Sequence, residues 1–292
     1  MNLYSPATLR YLKEKYGFRL TKSLGQNFLQ DPSVIREMID GSEISGEDLV
    51  IEIGPGIGVL TEAAAEAAGY VVSVEVDERL LPILEETLQD CGNVEIICQD
   101  ILKTDLNSLI RQKREEHGIT GKTRIIGNLP YYITTPIVMK LLEEQVEADS
   151  ITIMMQKEVA DRMKAAPGEK DCGAITAAVQ YYCQVSQVAR VPKEAFHPRP
   201  KVDSAILHLK IRPTRAVSVK DEKLFFDCVR AAFGQRRKTL CNALSAGLGR
   251  TKDEIRTVLG AAGIEESRRG ETLSMEEFAA IANEMAETID GR

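Results

Sequence analysis

Three places in this chain carry residue types whose spacing could do chemistry. The heptapeptide EIGPGIG, residues 52 to 58, sets Glu52 ahead of glycines 54, 56 and 58 and overlaps a β-rich run, DLVIEIG. Glycine lets a backbone turn sharply and approach a ligand closely, and such a turn belongs at the mouth of a doubly wound sheet, where these folds bind ligands. Glu75 ends the next β-rich run, 19 residues beyond Gly56. An acidic residue at about that distance is where the hydroxyl pair of a ribose is held. Asp100 closes a third run, VEIICQD, and is placed for an adenine edge. The set implies a pocket for an adenosine-bearing cofactor; the plain alternative is a tight turn that binds nothing. The third place, GNLPYYITTP at 127 to 136, follows the apolar run TRII and puts an amide, a proline and two tyrosines where turns usually carry Gly, Asp or Ser.

Two cofactors compete for the glycine turn. A dinucleotide calls for GxGxxG with its pyrophosphate on a helix N-terminus, whereas this loop reads GPGIG. S-adenosylmethionine carries no phosphate, so the departure costs it nothing. GNLPYYITTP then sits where that cofactor presents its methyl group. Methylating an exocyclic amine requires its lone pair to be drawn out of ring conjugation and aimed at the methyl. The side-chain carbonyl of Asn128 and the peptide carbonyl of Leu129, turned out by Pro130, can accept the two amine hydrogens. Tyr131 can stack on a single-stranded or flipped base, a contact of about 1–3 kcal/mol. Orientation can supply about 7–11 kcal/mol of a barrier, against about 10² to 10⁴-fold from a general base, so the reaction needs no His or Cys catalyst. The alternative is an Asn-Pro turn with core tyrosines.

The elements that must position these residues are legible as alternation. β-rich runs DLVIEIG, YVVSVEVD, VEIICQD, TRIIGNL and DSITIMMQ are each followed by a helical pattern, which predicts βαβ units and a parallel sheet with helices on both faces. Two further runs, CQVSQVARV and SAILHLKI, joined by a proline-rich loop, are expected to form a terminal antiparallel pair. From residue 213 the pattern is purely helical, with four helices, the last two opening on capping boxes, Thr251 with Glu254 and Ser274 with Glu277. We expect a catalytic domain over 1–212 and a small all-α domain over 213–292. The stretch 111–122, RQKREEHGITGK, reads as an exposed helix and loop without assigned function.

Composition narrows the class. The chain of 292 residues has no apolar run of bilayer-spanning length and no signal-peptide pattern at MNLYSPATLR, which predicts a cytoplasmic protein without a membrane partner. Six cysteines without a CxxC pair and three histidines without HExxH spacing read as reduced thiols and no metal site. The net charge of −7 argues against a nucleic-acid partner, but its distribution argues for one. Residues 190 to 240 hold 13 Lys or Arg against 5 Asp or Glu, and RYLKEKYGFRLTK adds a second basic piece near the amino terminus. Clustered positive charge in an acidic chain is the footprint of a phosphate-contacting surface; solvated helix faces are the alternative.

GQNFL at 25 to 29, EIGPGIG, VEVD at 74 to 77, QD at 99 to 100, NLPYYITTPI, QKEVADR at 156 to 162, VPKEAFHPRPKVDSA at 191 to 205 and FGQRRKTL at 233 to 240 occur together and in order. In this the chain resembles the ribosomal RNA adenine dimethyltransferases, specifically the branch that dimethylates two adjacent adenosines in the 3′-terminal hairpin loop of 16S rRNA. The resemblance runs from Phe18 nearly to the carboxyl end. It implies a Rossmann-like class I methyltransferase sheet with a helical C-terminal domain, S-adenosylmethionine as cofactor, and a monomer acting on 16S rRNA within an assembling 30S subunit. By position it implies Asn27, Leu29, Glu52, Gly54, Gly56, Glu75, Asp100 and Asn128 at the cofactor. It also implies a methyl-transfer corner of Asn128, Leu129, Pro130 and Tyr131, with Phe196 either a second aromatic contact to the adenine or a packed loop anchor. RNA phosphates would meet Arg236, Arg237, Lys238, Lys201 and Lys22. Many members carry Asn where this chain has Tyr132, to which we assign packing, and Tyr where it has Cys172. The rival readings are the related macrolide-resistance methyltransferases of large-subunit rRNA and an RNA-binding assembly factor without catalysis. The VPKEAFHPRPKVDSA loop and the helical tail favour the small-subunit branch.

Overall fold

The computed structural model describes residues 1–17 and 27–290. Its elements are α1 (Pro6–Tyr16), β1 (Phe28–Leu29), α2 (Pro32–Gly41), β2 (Leu49–Ile53), α3 (Val59–Ala67), β3 (Tyr70–Glu75), α4 (Leu81–Thr87), β4 (Val94–Cys98), α5 (Leu106–Glu116), β5 (Thr123–Asn128), α6 (Thr134–Glu143), β6 (Ser150–Gln156) and α7 (Lys157–Lys164). They continue with α8 (Ala174–Tyr182), β7 (Cys183–Val191), β8 (Phe196–His197), β9 (Ser204–Ile211), α9 (Glu222–Gly234), α10 (Leu240–Leu248), α11 (Lys252–Ala261) and α12 (Met275–Asp290). Among the described residues no helix is long and apolar enough to cross a membrane.

Among the described residues seven strands form one sheet in the order β4-β3-β2-β5-β6-β9-β7. β3 and β5 run parallel to β2, β4 to β3 and β6 to β5, while β9 lies antiparallel to β6. The expected neighbours β7 and β9 do close one edge. Every residue of β2 is buried, as are all but one of β3, β5 and β6, so the central strands are covered on both faces, as parallel strands flanked by helices must be. Because β2 connects outward to β3 and β4 on one side and β5 to β6 on the other, a crevice opens at their carboxyl ends, the switch point at which such sheets bind ligands. Gly127 is required here: a Cβ on it would stand 2.8 Å from the Ile53 carbonyl oxygen of the neighbouring strand.

The amino-terminal helices were not foreseen, although each begins with a cap and a proline in its first turn. Ser5 caps α1 and Asp31 caps α2, with Pro6 and Pro32 following. Tyr11, Lys15 and Tyr16 on α1 all bond the Glu86 carboxylate of α4, which fixes Lys15, one of the basic amino-terminal residues, in a protein contact.

The chain divides into two compact units, residues Met1–Ala160 with Val185–Ile211, and Asp161–Gln184 with Arg212–Arg292. The second unit takes in Asp161–Gln184, which the sequence reading placed in the 1–212 domain. The reason is aromatic packing: Tyr181 stacks on Phe225 at 5.0 Å and Tyr182 on Phe226 at 5.7 Å. Both tyrosine hydroxyls donate to Glu222 at the start of α9, at 3.2 and 2.5 Å. Helix α8 itself, AITAAVQYY, was not read from the sequence. The expected four helices are α9 to α12, and both capping boxes form, at Thr251 with Glu254 and Ser274 with Glu277. The stretch 111–122 is largely exposed as expected, apart from Lys113, buried between Glu95 and Glu116 at 2.9 and 2.8 Å.

Candidate active site

Four parallel strands deliver their carboxyl-terminal residues to one cleft in the first unit. β2 ends in Ile53 and runs into Gly54 and Gly56, β3 ends in Glu75, β4 runs into Gln99 and Asp100, and β5 ends in Asn128. Twelve residues named from the sequence line this cleft: Asn27, Leu29, Glu52, Gly54, Gly56, Glu75, Asp100, Asn128, Leu129, Pro130, Tyr131 and Phe196.

The glycine turn is built for a ligand. Gly54 and Gly56 have φ of 73° and 62°, the left-handed region where a Cβ is costly. A Cβ on Gly54 would meet nothing within 4 Å, so that position of the wall faces open space, while one on Gly56 would stand 3.2 Å from the Phe28 ring. Glu52 lies beneath, 1% exposed, and its carboxylate accepts from Thr61 Oγ1 at 2.6 Å and Ser73 Oγ at 2.7 Å. Burial pushes its pKa up to about 7 despite these bonds. Glu75 is also buried; it accepts from the Asp77 N–H at 2.8 Å, and burial raises its pKa above the usual carboxylate range. Asp100 is more open: one carboxylate oxygen accepts from the Leu102 N–H at 3.0 Å and the other lies 3.7 Å from Lys103 Nζ. A buried acceptor after the second strand and an open one after the third fit a ribose and an adenine.

At the end of β5 two carbonyls are left to accept. Asn128 donates its Nδ2 to the Asn27 carbonyl at 3.4 Å, and its Oδ1 has no partner among the described residues. Leu129 bonds the Met154 carbonyl through its N–H at 3.2 Å, and its own carbonyl is likewise unpartnered. The Pro130 carbonyl locks the turn by accepting from the Ile133 N–H and the Thr134 hydroxyl, both at 3.1 Å. Tyr131 is half-buried, with its hydroxyl 2.7 Å from Ser204 Oγ at the start of β9, which fixes the ring against the cleft; burial raises its pKa. Ser204 was not found from the sequence, because it lies 73 residues away and carries no local signal.

Other expectations resolve differently. Phe196 lines the cleft but is only 4% exposed, and β8 pairs antiparallel with β1, setting Phe196 opposite Leu29. Tyr132 is not packed, as expected, but 59% exposed, because the turn that directs Tyr131 inward directs its neighbour outward. Arg236 is in the second unit and is occupied: it donates to the Lys170 and Cys172 carbonyls at 2.8 and 3.0 Å and lies 3.5 Å from Glu271. Arg237, Lys238 and Lys201 are exposed and form no ion pair among the described residues. Lys22, with Gly25 and Gln26 of the GQNFL motif, lies outside the described residues.

A sheet of this order, with an acid-rimmed cleft across its switch point and an Asn-Leu-Pro-Tyr turn beside it, defines a Rossmann-like S-adenosylmethionine-dependent methyltransferase. When bound, that cofactor supplies an electrophilic sulfonium methyl group. The chain belongs to the Ribosomal RNA adenine dimethylase family, whose sequence pattern matches residues 17–287, and it is an rRNA adenine dimethyltransferase. A protein of Alkaliphilus metalliredigens named Ribosomal RNA small subunit methyltransferase A is 51% identical over 285 residues, covering 97% of this chain and 98% of its own. One of the same name from Clostridioides difficile is 51% identical over 271 residues, 92% of each chain. Among solved structures, a dimethyladenosine transferase from Plasmodium falciparum shares the fold, with a TM-score of 0.74 at 23% identity over 90% of this chain and 98% of that one. The 23S rRNA methyltransferase ErmE has a TM-score of 0.69 at 25% identity, over 89% of this chain and 100% of that one.

Proposed function

We propose that this enzyme dimethylates the exocyclic amines of two adjacent adenosines in the 3′-terminal hairpin loop of 16S rRNA, as a cytoplasmic monomer acting within an assembling 30S subunit. The observation that carries the chemistry is the pair of carbonyls without a partner among the described residues, Asn128 Oδ1 and Leu129 O, beside a ring fixed by Ser204. In the first transfer the two carbonyls accept the two amine hydrogens and hold the nitrogen lone pair toward the methyl; in the second, one carbonyl holds the single hydrogen that remains, and each transfer releases one amine proton to solvent. Tyr131 covers the flipped base, and Phe196 backs Leu29 in the wall behind it. The small subunit is favoured over the large by relatives at about half identity that share a small-subunit name. In this reading the helical unit binds RNA phosphates through Arg237 and Lys238, Lys201 of the first unit meets a phosphate as well, and Arg236 serves first to bond the Lys170 and Cys172 carbonyls.

The test is to incubate the protein and labelled S-adenosylmethionine with undermethylated small subunits, large subunits and naked rRNA. Label confined to small-subunit RNA is expected. Label only in large-subunit RNA refutes the substrate assignment, and label nowhere favours a binding factor without catalysis.

A further inference from the structure

Of the four aromatic residues that line the cleft among the described residues, three are committed. Phe28 and Phe196 are 7% and 4% exposed, and the Tyr131 hydroxyl is held by Ser204. Tyr132 alone shows an open ring, 59% exposed, with no hydrogen bond or ring contact among the described residues. A single exposed apolar side chain is ordinary on a protein surface. Tyr132 differs in place and in rigidity. Val76, 56% exposed, lines the same cleft, so two of the five large exposed hydrophobics among the described residues gather at this one opening. The backbone under Tyr132 is pinned by the two bonds to the Pro130 carbonyl, so its ring stands on a fixed turn rather than a loose loop.

Flipping one adenosine into the cleft strips a stacking partner from the base beside it, at a cost of a few kcal/mol. An aromatic face one residue outside Tyr131, free and rigidly based, is where that stranded base can be covered. We propose that Tyr132 is a second stacking platform, which takes the base flanking the flipped adenosine and so sets the register in which the RNA strand enters the site. The proposal rests on the RNA-adenine reading above and deepens it.

The test uses the full chain and small subunits whose rRNA carries 2-aminopurine next to the target adenosine. With the wild-type protein, binding is expected to quench the fluorophore through stacking. Tyr132→Ala is expected to lose most of that quenching and to raise the KM for subunits by about 5- to 50-fold, the scale of one lost base stack, with unchanged affinity for S-adenosylmethionine. Tyr132→Phe is expected to restore both, because the ring and not the hydroxyl does the work. An exposed side chain is not needed for folding, so an unchanged melting temperature should accompany the loss. Equal quenching and equal KM in Tyr132→Ala would overturn the platform while leaving the methylation reading intact. Absence of methylation by the wild-type protein on these subunits would overturn the reading, and the platform with it.

Discussion

Glu52 shows how a single buried group sets a pH dependence. Its carboxyl titrates near 7 in the folded protein against an ordinary value of 4.5, because burial disfavours the charge more than the Thr61 and Ser73 hydroxyls favour it. The folded state therefore holds the proton more tightly than the unfolded state. The stability Glu52 contributes is fully present below about pH 4.5 and is lost as the pH rises to about 7. Glu52→Gln stays neutral throughout and can accept both hydroxyls through its amide oxygen. Denaturant unfolding at pH 5 and pH 8 is expected to show the wild type losing roughly 2–3 kcal/mol more than the variant over that range; parallel curves would refute it. At this scale the site was largely readable, since glycine turn, strand-end acids and Asn-Leu-Pro-Tyr each carry their chemistry in adjacent residues. Ser204 and the outward turn of Tyr132 were not readable, because both depend on what the fold brings near.

At the scale of elements, the close approach of β2 and β5 places the Asn128 turn against the cofactor cleft. Gly127→Ala would set a methyl 2.8 Å from a strand carbonyl that cannot move aside. We expect the variant to lose about 1–3 kcal/mol of stability, measured by denaturant unfolding, and unchanged stability would contradict the packing described. The parallel strands were legible because burial on both faces writes them as continuous apolar runs between helical patterns. Helix α8 was missed because AITAAVQYY, mostly apolar and without a polar face, shows no amphipathic stripe. The pairing of β1 with β8 was invisible for another reason: two-residue strands joined across most of the chain leave no periodicity.

For the whole molecule, charge placement decides how RNA is met. The chain is acidic overall, with a net charge of −7, yet 13 of its cations fall between residues 190 and 240. Many are already used: Arg230 and Lys223 pair with Asp227, and Arg236 with backbone carbonyls. That leaves Arg237 and Lys238, at the α9–α10 junction, as cations without an ion pair among the described residues. Reversing both, Arg237→Glu with Lys238→Glu, is expected to weaken RNA binding and to lower the slope of log affinity against log salt by about 2, with cofactor affinity unchanged; an unaltered slope would place the RNA elsewhere. The clustering of charge was legible in the sequence, but which cations remain free was not, since that depends on partners such as Glu271, distant in the chain. Whether Asn128 orients the amine is tested most directly by single-turnover methyl transfer by Asn128→Ala on undermethylated small subunits, with RNA affinity measured alongside. We predict transfer slowed by roughly 10³-fold or more with RNA affinity within a few-fold of wild type; transfer at the wild-type rate would contradict the amine-orienting role.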